Sequence, residues 1–120
     1  ERFFTDSVNR AGNYEKNIEG IAKGYGNFKC REAARAVTQF LKKKKLHGAI
    51  VTINYETFPG YVVSDIHGGK VISYNGFHVG VLYEGKIYCN VHPYGLPEQE
   101  WVDDFHGTPE YSKRIMKMEF

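Results

Sequence analysis

GFHVGVLYEGKIYCNVH, residues Gly76 to His92, reads as a β-hairpin with a polar pair where a hairpin ordinarily carries only packing. Gly85 marks its turn. The loop can be drawn as the two residues Glu84 and Gly85, or as Tyr83, Glu84 and Gly85 with Gly85 left-handed in a bulge. Three loop residues set His78 opposite Asn90 and gather Val79, Val81, Ile87, Cys89 and Val91 on the other face. Two turn Asn90 away and scatter the apolar residues over both faces. Because a one-residue slip moves every side chain across the sheet, the register with one continuous apolar face is the expected one. It makes His78 and Asn90 neighbours.

Upstream of the hairpin the apolar period is near four. Asn13 is placed to cap a helix through Tyr14, Ile18, Ile21 and Ala22 that ends at Gly24 and Gly26. The strongest helix runs from Cys30 to about Lys44, with Ala33, Ala34, Val37, Phe40 and Leu41 on one stripe and Arg31, Arg35, Gln39 and Lys42 on the other. Cys30 opens it on the apolar stripe, so its sulfur points toward whatever the helix packs on. After Gly48 the period becomes two. Strands are expected at Ala49–Tyr55, Tyr61–Ile66 and Val71–Tyr74, broken at Pro59-Gly60 and Gly68-Gly69, before the hairpin itself. In His92–Gly107, EQEWVDDF predicts one helical turn whose Trp101 and Phe105 pack back on the sheet, and the tail after Pro109 has no firm pattern. Helices followed by an antiparallel sheet predict an α+β domain.

The 120 residues, 42% hydrophobic and 25% charged, suit a single domain spanning 1–120, with 1–11 read as a short helix or a linker end. Two domains would each be too small to bury a core. A formal net charge of +2 does not by itself indicate a polyanion partner. The run Lys42–Lys45 is read as helix-end cations facing water. Cys30 and Cys89 form neither a disulfide framework nor a CxxC pair, and no cofactor or metal site is expected. No apolar run reaches the roughly 20 residues of a membrane span, so no membrane partner is expected. Glu1 in place of Met suggests a piece of a longer chain.

Cys30 and His78 are the pair that carries a mechanism. A thiol at a helix N-terminus gains from the macrodipole and from an imidazolium partner, which together lower its pKa and make a nucleophile at neutral pH. Asn90, placed by the register, is then the third polar group that orients the ring. The bland alternative is a small buried cysteine, a satisfied strand histidine and a polar residue near a turn. His92, beside Pro93, can reach the His78 face and is held in reserve with Cys89, while His47, His67 and His106 lie beside turn glycines as exposed loop residues. A different chemistry stays open on the same residues: a ribonuclease using His78 and His92 as acid and base, with nucleic acid as its partner.

A helix opening on Cys, then a strand with His and a next strand with a polar residue, is similar to the circularly arranged papain-like fold of NlpC-type peptidases. More specifically, NFKCREAARAVTQFL with SYNGFHVGVLYEGKIYCNVHPYGLPEQEW resembles the papain-fold toxin domains at the C-termini of bacterial polymorphic and contact-dependent growth inhibition toxins, from about Ile18 to Phe105. The resemblance implies a catalytic set of Cys30, His78 and an Asn or Asp, in a protease, deamidase or acyl transferase. It implies a secreted or surface-delivered effector acting on a macromolecular target in the cytoplasm of a neighbouring cell. A cognate immunity protein is then expected over the cleft between the Cys30 helix and the hairpin. In the family an acidic residue often precedes the Asn of the second hairpin strand. Here that position is Cys89.

Overall fold

The period-four stretches fold as two helices, α1 over 14–23 and α2 over Cys30–Lys43, in a computed structural model that describes residues 14–56, 61–107 and 112–120. The cap assigned to Asn13, the segment Glu1–Ala11 and the Pro59-Gly60 turn lie outside the described residues. In α2, Cys30, Ala33, Ala34, Val37 and Leu41 are buried, and full burial of a Val or Leu side chain is worth roughly 1.5–3 kcal/mol. Glu32 in the first turn and Lys42 and Lys43 in the last complement the dipole. The lysine run also ends the helix: Lys45 takes the left-handed conformation (φ 60°) usually left to glycine, and Leu46 N–H donates to Leu41 O at 2.9 Å, a Schellman closure.

The strands that follow are β1 (Ala49–Tyr55), β2 (Val62–Ser64), β3 (Lys70–Ser73), β4 (Phe77–Tyr83), β5 (Lys86–Tyr88) and β6 (Leu96–Pro97), then α3 (Glu98–Asp104), β7 (Phe105–Gly107) and β8 (Lys113–Glu119). They make two antiparallel sheets instead of the single one expected, a five-stranded sheet ordered β6-β5-β4-β1-β8 and a three-stranded sheet ordered β3-β2-β7. On one face of the larger sheet, α1 and α2 pack on Val79, Val81, Tyr83 and Tyr88. On the other, α3 and the smaller sheet bury Trp101, Phe105, Val62 and Ile72 against Val51, Ile53, Ile87 and Cys89. The larger sheet is thus apolar on both faces.

That double burial overturns the expected hairpin register. β4 and β5 pair as Val81 with Tyr88, Leu82 with Ile87 and Tyr83 with Lys86, which leaves only Glu84 and Gly85 in the loop. Both have positive φ, 51° and 82°, the type I′ geometry whose twist matches the flanking strands. A single apolar face was the wrong criterion, because both faces of this hairpin are covered. His78 and Asn90 are consequently on opposite sides.

β8 was invisible in the sequence for the converse reason. It is an edge strand paired only to β1, exposed over nearly its whole length, so no burial imposes a period on it.

Gly80 is the close-approach point of the inner layer. A Cβ there would stand 2.6 Å from Ile87 Cγ2 and 2.9 Å from Trp101 Cζ2, both in the packed core. Gly80→Ala is expected to cost about 1–3 kcal/mol in urea unfolding, as overpacked cores do. A loss under about 0.5 kcal/mol would show that Trp101 is not held against the strand.

Candidate active site

Cys30 stands at the first residue of α2, after a loop that two amides fasten. Asn90 Nδ2 donates to Gly26 O at 2.8 Å and Asn27 Nδ2 to Val71 O at 3.0 Å. Asn90 therefore holds the backbone that leads into Cys30 rather than the His78 ring, a correction that follows from the register. The thiol is buried, with backbone N–H groups of Val79 and Arg31 directed at it. Burial pushes its pKa above the usual thiol value and outweighs those N–H groups and the nearby Arg31 charge. The thiolate expected from the helix terminus alone is not the resting form.

Beside Cys30 opens a cavity of about 450 Å³, lined by Phe28, Arg31 and Glu32 on one side and by Ile72 to Asn75 and Phe77 on the other. Its β3–β4 lip is ordered by Asn75, whose Oδ1 accepts from Ser73 Oγ at 2.7 Å and from Phe77 N–H at 3.1 Å. Phe28 stacks on Tyr74 at 5.1 Å across the mouth.

His78 is fully buried on the other face of β4, its ring 4.5 Å from that of Phe105 and 5.6 Å from that of Trp101. Burial lowers its pKa to about 3, with the neighbouring His92 adding to the shift, so the ring is neutral at pH 7. Its Nε2 lies 3.4 Å from Cys89 Sγ, and its buried Nδ1 has no partner among the described residues. No hydrogen bond joins it to Cys30, whose sulfur instead meets the backbone N–H of the next residue, Val79.

Cys89 lies beside the His78 ring, where Asn90 was expected. Trp101 Nε1–H and His92 N–H both donate to its sulfur at 3.3 Å, and burial raises its pKa to about 11. The period-two reading failed here because β5 ends at Tyr88 and the chain turns: Cys89 N–H donates to His92 O at 3.2 Å. Asn90 and Pro93 were the signal for that turn.

The reserve residue His92 is also buried, its Nε2 bonded to Asp104 Oδ2 at 2.7 Å. Burial lowers the His92 pKa despite that partner. Burial also works to raise the Asp104 pKa, but donors from Ser64 Oγ and Ile66 N–H, both at 2.6 Å, and from His92 outweigh it and hold it low. At pH 7 the contact is thus a neutral imidazole N–H on a carboxylate. Asp104 and Ser64 went unnoticed in the sequence, since they lie 40 residues apart and neither belongs to a motif. Of the loop histidines, His67 stacks on His92 at 5.1 Å and His106 pairs with Asp65 at 2.7 Å.

Among known protein families, papain fold toxin 2 matches residues 13–106. The chain belongs to that family. It is a papain-fold toxin domain of α+β class, with its helices packed on antiparallel sheets. Searches of curated proteins and of solved structures gave no match.

Proposed function

We propose that this toxin is a cysteine-dependent enzyme acting on an acyl or amide group, as a protease, deamidase or acyl transferase. Cys30 is the nucleophile, His78 its base and acid, and Cys89 the acceptor that orients His78. The observation that carries the reading is the thiol at the start of α2, beside an open cavity and facing the backbone of Val79, the residue after His78. The reading assigns the His78 proton to Nε2, facing the Cys89 sulfur 3.4 Å away, so that Nδ1, without a partner among the described residues, holds the lone pair that a base needs.

In this reading the resting pair is neutral, and the proton moves only as substrate carbon meets sulfur. The thiol proton passes to His78, which rests on the other face of β4 without a hydrogen bond to Cys30 and must come within reach of the thiol as substrate binds; the S–C bond forms, and the carbonyl oxygen gains negative charge beside the Cys30 backbone N–H at the helix start. Collapse expels the amine or other leaving group, which takes that proton from His78. The thioester on Cys30 then passes its acyl group to water or to another nucleophile, and the thiol is restored. The reading extends to delivery from a larger secreted or surface-borne toxin and to neutralisation by a cognate immunity protein.

The test is incubation of the domain, and of its Cys30→Ala form, with bacterial lysate followed by intact-protein mass spectrometry. The expected result is a target mass change made only by the unsubstituted domain: a cleavage, a deamidation, or an acyl gain. RNA fragments produced equally by both proteins would sink the thiol reading in favour of a nuclease.

A further inference from the structure

The helix layer covers the five-stranded sheet unevenly. α2 lies over β4, while β1 and β8 continue the same face with no helix above them among the described residues. The register puts Met116 opposite Thr52 and Met118 opposite Ile50, so all four side chains share that face. Met116 and Met118 are 62% and 65% exposed. Isolated exposed apolar residues are ordinary, but these two extend the floor of a groove of about 510 Å³ between α2 and the strands. Methionine side chains suit such a floor because they repack readily around an incoming apolar surface.

The α2 wall of the groove is basic. Arg31, Arg35 and Lys42 line it from one flank of the helix, and none is paired with a carboxylate among the described residues. Arg31 lies over the Phe77 ring at 4.1 Å and Lys42 over the Phe120 ring at 5.8 Å, which holds both cations at the groove. On β8, Arg114 pairs with Glu56, and Lys117 pairs with Glu98 on the other face of the sheet.

Width decides what fits. Packed helices lie about 8–10 Å apart, and two strand spacings make about 9.6 Å, so a helix set beside α2 would run above β8. We propose that this groove docks an acidic amphipathic helix of a partner protein, its apolar stripe on Ile50, Thr52, Met116 and Met118 and its carboxylates on Arg31, Arg35 and Lys42. A strand added to the outer edge of β8 would leave the α2 cations unanswered. Arg31 and Phe77 line both this groove and the cavity at Cys30, so the docked helix abuts the cavity and controls approach to it.

The inference is independent of the cysteine chemistry, and its test uses the Cys30→Ala protein. The probe is a fluorescein-labelled helical peptide of about 18 residues, long enough to hold a helix, with a leucine stripe flanked by glutamates. One control replaces the glutamates with lysine and another scrambles the order. Anisotropy is expected to show saturable binding of the acidic peptide. Arg35→Glu, Met118→Glu and the lysine peptide should each weaken it at least about tenfold. Both positions are exposed, so the variants are expected to keep the wild-type circular dichroism. Absence of saturable binding, equal binding of either control peptide, or binding that survives both substitutions would overturn the proposal. So would a dimer of the protein that Met118→Glu dissolves, which would make a second copy the occupant.

Discussion

Cys30→Ala is expected to abolish growth inhibition when the domain is expressed in bacteria, a drop of at least about a thousandfold in potency, while the fold is retained. The thiol ends a helix beside an open cavity, so losing one sulfur leaves little void. His78 needs a more careful variant than alanine, because its ring is wedged against Phe105 and Trp101 and truncation would open the core. His78→Gln keeps most of the volume and should be nearly as inactive as Cys30→Ala. The orienting position now separates two explanations. Cys89→Val removes the acceptor and is expected to cost about tenfold or more, whereas Cys89→Asp should keep activity, since the Trp101 and His92 N–H groups already donate there and His78 Nε2 lies beside it. Asn90→Ala should weaken activity by loosening the Gly26 loop, without altering the pH dependence of the base. Full activity in a folded Cys30→Ala protein would end the thiol mechanism, and inactivity of both His78 and His92 variants alongside it would favour the nuclease.

How much of this was legible in the sequence depended on burial. α2 was read from its stripe almost to the residue, because one face of it is buried and the other is in water. β1 was read to the residue as well, and α3 was foreshadowed by Trp101 and Phe105. The hairpin was recognised from Gly85 but paired one residue out of register. Alternation in sequence reports a face only when the opposite face is wet, and β4 has buried residues on both. The candidate site inherited the same error: the register shift puts Cys89, and not Asn90, beside the His78 ring, while Asn90 reaches Gly26 O. Asp104 was beyond reach for another reason, since its role comes from Ser64 and Ile66 meeting it in space.

The buried imidazoles should make this toxin acid-labile well above the carboxylate range. His78 has a native pKa of about 3 against an ordinary 6.5, so the unfolded chain binds a proton that the folded chain refuses. For a base lowered in this way, stability is full above pH 6.5 and falls as pH drops toward the folded value. At about 1.4 kcal/mol per unit, this one residue removes roughly 2–3 kcal/mol by pH 4.5 and ~4–5 kcal/mol by pH 3. His92, also lowered by burial, adds in the same direction, though Asp104 opposes part of its shift. Asp104 itself is held below its ordinary 3.8, so the stability it provides is lost only under more acid conditions. Urea midpoints at pH 7 and pH 4.5 measure the effect, and His78→Phe isolates it by filling the same space beside Trp101 and Phe105 with a ring that cannot titrate. The variant is expected to lose about 2–3 kcal/mol less than the wild type between those two pH values. Equal losses in the two proteins would mean that His78 is hydrated in solution, and with that its neutral resting state and its burial behind Cys89 would both fail.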